Sequence, residues 1–266
     1  MLTTSPNAEK GTTNYDLTGY GQFEIPTLPA TLKDTVPSIM FSASLSALVR
    51  LAESATQISR DPDLSAAGKQ KKLEPFQKDA VTILARADAM FDTEEPLLAK
   101  READLYAVPQ IHPSDAATAV VDREVRDFWR SQSGQHRADF LNRIREEPGK
   151  HERTMVAMLR SPVPQLDHEV QFITDTWRTS KRLASPDVAS AIDADRACLA
   201  WARASTAHVA GITKRALQWD HKKIVDTLSQ DATYKNSAKV FGIDGAEAAH
   251  LRIMLAHENR AGRTAA

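Results

Sequence analysis

Residues Ser185 to Gln218 read SPDVASAIDADRACLAWARASTAHVAGITKRALQ, and the fold class turns on this stretch. Ser185 is suited to a helix N-cap, and Pro186 fits a first turn, where its missing N–H costs nothing. At 100° per residue, Val188, Ala191, Ile192, Cys198, Leu199, Ala202, Val209, Ile212, Ala216 and Leu217 share one arc. Asp193, Arg196, Arg203, Lys214 and Arg215 fall on the other side. Such a helix is roughly 50 Å long at 1.5 Å per residue. It reads as a central spine. Three polar residues, Asp195, Thr206 and Thr213, share its apolar arc. A threonine satisfies itself on the preceding turn, whereas a buried aspartate needs a partner, either within the chain or across a subunit contact.

Upstream, helical spacing recurs. Leu45, Leu48, Ala52, Ala55 and Ile58 form one stripe, and Leu73, Phe76, Ala80, Ile83, Ala87 and Met90 form another. The Arg60–Ser65 break between them predicts a helical hairpin, and Pro75 predicts a kink early in the second arm. Thr93 to Tyr106 reads as a separate helix with Glu94 and Glu95 in its first turn. After the proline-rich 108–113 break, Ser114 is the expected cap of a helix ending near Ser131. Short helices follow at about 137–146 and 150–160, closed by Ser161-Pro162-Val163-Pro164, and another is seeded by Leu166, Val170, Ile173 and Trp177. Beyond Trp219, Ile224, Val225 and Leu228 mark one more. Asp244 and Glu247 make a capping-box pattern for a last helix that frays from about Ala261.

Residues 1–36 differ in kind. Gly11, Gly19 and Gly21 lie among Thr, Asn and Pro, and Tyr15, Tyr20, Phe23 and Ile25 punctuate them without helical spacing. The expectation is either a disordered tail or an extended arm that docks these side chains on its own body or on a neighbouring subunit. With no period-two run long enough for a strand, the fold class is all-α: a multi-helix bundle around one long central helix (about 186–218). The expected organisation is an N-terminal arm over 1–36, a bundle over 37–220 and a small helical C-terminal region over 221–266.

Composition narrows function by exclusion. The chain has 266 residues, 42% of them apolar but only 6% aromatic, and a net charge of −1, so no global field gathers nucleic acid or anionic lipid. The one cysteine, Cys198, excludes a disulfide framework and lies on an apolar face, so a buried thiol is expected. No apolar run is read as approaching the roughly 18 residues of a membrane span, and the first residues lack a secretory pattern. A chain made in the cytoplasm without a membrane span is the expectation. Neither Gly68-Lys69 nor Gly149-Lys150 completes a phosphate loop, and no Gly-x-Ser-x-Gly elbow occurs. Glu247-x-x-His250 with His257 lacks the second pair of a di-metal bundle. No cofactor, metal or catalytic residue is assigned, and the chain reads as non-enzymatic.

Two passages carry a resemblance. Ile58-Ser59-Arg60-Asp61-Pro62-Asp63-Leu64-Ser65-Ala66-Ala67-Gly68-Lys69 resembles the hairpin turn of small helical proteins from tailed bacteriophages and proteobacterial prophages. Phe128-Trp129-Arg130 through Arg137-Ala138-Asp139-Phe140-Leu141, then Met158-Leu159-Arg160-Ser161-Pro162-Val163-Pro164, is similar to a passage in the same group. The resemblance implies a structural or assembly component of the virion, internal or neck-associated, with no site to carry over. Expected partners are other copies of the chain and other virion proteins, with Tyr15, Tyr20, Phe23, Ile25 and Asp195 as candidate interaction residues. The alternative is a DNA-binding accessory protein. Asn236–Ile243 followed by a capped helix resembles a helix-turn-helix, although Glu247 sits beside His250 and Arg252 on the would-be recognition helix. An uncharacterised enzyme is the third reading.

Overall fold

A computed structural model describes residues 1–161, 166–234 and 236–264. Three strands come first, β1 (Leu2–Asn7), β2 (Thr12–Leu17) and β3 (Gly21–Pro26). The helices are α1 (Val36–Ser59), α2 (Ala66–Leu105), α3 (Ala116–Ser131), α4 (Gly134–Glu146), α5 (Glu152–Leu159), α6 (Asp167–Ala184), α7 (Pro186–Leu217), α8 (His221–Ser229) and α9 (Gly245–Thr264). Short 3-10 turns lie at Ala30–Leu32, Pro148–His151 and Ser237–Phe241. The fold is mostly helical, and α7 has the bounds that its apolar arc predicts. The chain divides into two compact units: unit 1 is Met1–Leu97 with Ala194–Ala266, and unit 2 is Leu98–Asp193. The cuts fall inside α2 and α7, whereas the sequence reading placed boundaries after residues 36 and 220.

In unit 1 the expected loose arm is instead an antiparallel meander in the order β1-β2-β3. Its tight turns rest on Gly11, Gly19 and Gly21, all at positive φ, where a Cβ would be strained. Side chains alternate between its faces: Leu17, Phe23 and Ile25 are buried, while Asp16, Gln22 and Glu24 are exposed. Thr35 then caps α1, its hydroxyl accepting from the Ser38 amide at 3.4 Å, with Pro37 in the first turn. Among the described residues α1 is the one helix long and apolar enough to cross a membrane, contrary to the expectation that no run comes close. Its Phe41, Ala47, Leu48, Leu51 and Ala52 are buried in the core of this unit.

The hairpin forms as expected. Ser65 caps α2, its hydroxyl accepting from the Gly68 amide at 3.1 Å, and Arg50 of α1 reaches Asp79 of α2 at 3.1 Å. The separate helix expected from Thr93 does not exist, because α2 runs through Pro75 and Pro96 for 40 residues. Thr93 donates back to the Ala89 carbonyl at 3.0 Å instead of capping, and Arg203 of α7 holds Asp92 and Glu95.

Along α7, Ile192, Cys198, Leu199, Ala202, Val209, Ile212 and Leu217 are buried as their arc predicts. Val188 and Ala191 are exposed, and Ala189 is buried in their place. Thr206 and Thr213 are fully buried, and Thr213 donates to Val209 O at 2.9 Å.

Unit 2 closes around Trp129, Ile144, Met155, Val156, Met158, Ile173 and Trp177. Asp115, one residue beyond the expected Ser114, caps α3 by accepting from the Thr118 amide at 3.0 Å, and hydrogen bonding from the Thr118 side chain, then from its amide, holds its carboxyl below the ordinary value. Ser114 instead meets His112 Nδ1 at 2.6 Å. Residues 162–164 of the expected Pro-rich closure lie outside the described residues.

Candidate functional site

The meander is where the expected interaction residues converge. Register places Thr4, Tyr15 and Phe23 abreast on the inward face, with Thr3, Asp16 and Gln22 abreast on the outward one. Tyr15 stacks on Phe23 at 5.3 Å between centroids, and Phe23 meets the His208 ring of α7 at 5.8 Å. Trp201 of α7 donates its indole N–H to Pro26 O at 2.6 Å and stands edge-on to Phe41 at 4.7 Å. Tyr15 and Phe23 therefore pack together on the chain's own body, and Ile25 is buried.

Tyr20 stands apart, lining a hollow of about 520 Å³ with Thr56, Ser59 and Arg215. Burial pushes both phenols above their ordinary value, so both stay neutral hydroxyls. Asp195 is not brought to the meander; it is half-buried on α7 and has a polar or electrostatic partner in the chain.

The outward face carries Thr3, Ser5, Asn14, Asp16, Gln22 and Glu24. Gln22 donates to Asp16 at 3.0 Å and Lys10 to Glu24 at 3.3 Å. At its margin β1 is an edge strand, exposed at Thr3, Thr4, Ser5 and Pro6. An unpaired edge offers backbone donors and acceptors to another strand.

Polar clusters that sequence reasoning did not single out lie elsewhere. In unit 1, Lys239 meets both oxygens of Asp92 at 2.7 Å, and Arg203 meets Asp92 at 3.3 Å and Glu95 at 3.0 Å. Asp88, one turn before Asp92, is 4% exposed, and its Oδ2 accepts no hydrogen bond. Burial pushes its carboxyl up to about 6, against the pull of Lys239 and Arg203 and with help from Asp92. The 88, 92, 95 spacing on α2 was the only trace of this cluster in the sequence.

A second cluster joins α7, α8 and α9. His221 Nδ1 lies 2.5 Å from Glu247 Oε1, and Lys214 Nζ lies 2.5 Å from His221 Nε2 and 3.1 Å from Phe241 O. An ammonium only donates, so Nε2 accepts and Nδ1–H donates to Glu247. Both ring nitrogens are thereby hydrogen-bonded within the chain. Glu247 turns to His221, and Asp244 supplies the cap of α9, accepting from the Glu247 amide at 2.8 Å. Around Gly242, at φ 72°, the 3-10 turn and α9 make the turn that resembled a helix-turn-helix, with Lys239 and Lys214 held by internal partners.

Unit 2 holds two buried carboxylates. Asp122 pairs with Arg160 at 3.0 Å. Glu169 accepts from the Trp129 indole at 3.1 Å and lies 3.2 Å from Arg137 Nε, an ion pair without hydrogen-bond alignment. Both tie helices together. Among the described residues no three His, Cys, Asp or Glu side chains are grouped to hold a metal ion. Compared with protein-family models, with curated proteins and with solved structures, the chain matches none.

Proposed function

We propose that this chain is a non-enzymatic assembly component of a tailed-phage particle, joining copies of itself and other virion proteins through the N-terminal meander. The observation that carries the reading is the β1 edge. Thr3, Thr4 and Ser5 are exposed on a strand whose sheet is fastened to α7 by Phe23 and the Trp201 bond to Pro26. A rigidly held open edge is a ready template for strand addition, in which main-chain bonds supply affinity. Pro6 lacks an N–H and blunts the far end of β1, which leaves Leu2–Ser5 as the pairing stretch. The resemblance of residues 58–69 and of the passage from Phe128 to Phe140 and Leu141 supplies the setting.

Multi-angle light scattering at about 0.1 mM tests self-association in a range where micromolar contacts are populated. The wild type is expected above monomer mass. A Thr3→Lys/Ser5→Lys variant, which charges the edge without touching the buried face, is expected to revert to monomer with unchanged circular dichroism. A wild type that stays monomeric, or a charged-edge variant that still associates, overturns the reading.

A further inference from the structure

We propose that unit 1 carries a binding site for a small zwitterion with an apolar body, of the α-amino-acid class, walled by Trp219, Lys223 and Asp226. The cavity measures about 640 Å³, within the roughly 300–1,000 Å³ of small-molecule sites. Its apolar wall is Leu217, Trp219 and Leu255, and Gln70 and Gln218 add carboxamides.

The charges in its wall single out the ligand. Lys222 is paired with Glu258 at 2.7 Å, and Asp220 caps α8 by accepting from the Lys223 amide at 2.8 Å. Two charges remain, Lys223 and Asp226. They stand three positions apart on α8, the spacing at which opposite charges ordinarily meet. Among the described residues neither has an ion-pair partner, and the Lys223 ammonium lies 4.4 Å from the Trp219 ring centroid instead. One unpaired cation and one unpaired anion beside an apolar wall match a carboxylate, an ammonium and a hydrocarbon side chain on one molecule. A simple anion would leave Asp226 opposing it, and a simple cation would leave Lys223 doing the same.

Two features of the backbone and side chain at the end of α7 shape this wall. Trp219 is 8% exposed and its indole N–H has no acceptor, a state that buried donors rarely occupy. Gln218 just before it holds φ 52°, the one positive φ outside glycine among the described residues. Side chains with a Cβ enter that region at a cost, and here it sets the turn that seats Trp219 at the cavity.

Titration of the full chain with L-phenylalanine, followed by indole fluorescence and by saturation-transfer NMR of the ligand, tests the proposal. Saturable binding is expected below about 10 mM, with N-acetyl-phenylalanine and phenylalaninamide, which each lack one charge, at least about tenfold weaker. Lys223→Met and Asp226→Asn should each weaken L-phenylalanine by about tenfold or more while circular dichroism stays unchanged. Absence of saturation, equal binding of the singly charged analogues, or indifference to both substitutions overturns it. The NMR readout needs no tryptophan variant, so the outcome does not depend on how Trp219→Phe folds.

Discussion

Lys239 Nζ stands 3.8 Å from Asp88 Oδ2, a carboxylate oxygen sealed from solvent that accepts no hydrogen bond. The same ammonium is committed to Asp92 at 2.7 Å. Counting Glu95 and Arg203, three carboxylates share two cations, and the buried one goes short.

That shortage makes stability depend on pH. The Asp88 carboxyl sits at about 6 when folded against an ordinary 3.8, so between those values the folded chain keeps a proton the unfolded chain has lost. This contribution is complete below the unfolded value and is lost as pH rises through the folded one, at up to about 1.4 kcal/mol per pH unit. Across the window the loss is about 2–3 kcal/mol. Urea unfolding from pH 4 to 8 should show this slope in the wild type and a flatter one in Asp88→Asn. Parallel slopes would refute it.

Removing Asp122 takes the carboxylate partner from the Arg160 guanidinium, which is largely buried and keeps its bond to the Pro109 carbonyl. Asp122→Ala should cost about 3 kcal/mol in urea unfolding, because an uncompensated buried charge outweighs the lost pair. Asp79→Ala, which breaks the exposed Arg50 pair, should cost under about 1 kcal/mol. Equal costs would mean that burial does not set the difference.

Phe23→Ala removes the ring between Tyr15 and His208. A cost of about 3 kcal/mol is expected for so large a buried side chain. Hydrogen exchange should speed in β2 and β3 and stay unchanged in α5. Uniform loss across both units would show that the meander does not open locally.

Gln218→Gly should raise stability by about 1 kcal/mol, since glycine relieves the left-handed backbone at the end of α7, while Gln218→Ala should bring no such gain. Thermal unfolding of the two variants distinguishes relief of backbone strain from loss of the carboxamide.

The helices were legible wherever apolar residues kept a 3–4 spacing over several turns, as in α7 and in the hairpin of α1 and α2. The meander was legible too, but only as fragments: Asn14-Tyr15-Asp16-Leu17 and Gln22-Phe23-Glu24-Ile25 each alternate for two periods, next to glycines that form turns. Each run was too short to outweigh the polar composition around it. The continuity of α2 was hidden because Thr93-Glu94-Glu95-Pro96 imitates a helix start, and what overrides it arrives from α7 through Arg203. Lys239 reaches Asp92 across 147 positions of chain, so nothing local announced the Asp88 cluster.

Unit 1 is left at Leu97 and rejoined only at Ala194, while all of unit 2 lies in between. During synthesis, residues 98–193 therefore emerge as a complete set while the meander and α1 still lack Trp201 and His208 of α7, on which Pro26, Phe41 and Phe23 rest. The meander and α1 must wait until all of unit 2 has been made before their own unit can close. Over that interval Phe23 and Phe41, whose ring partners lie on α7, are open to any chaperone or sister chain at hand.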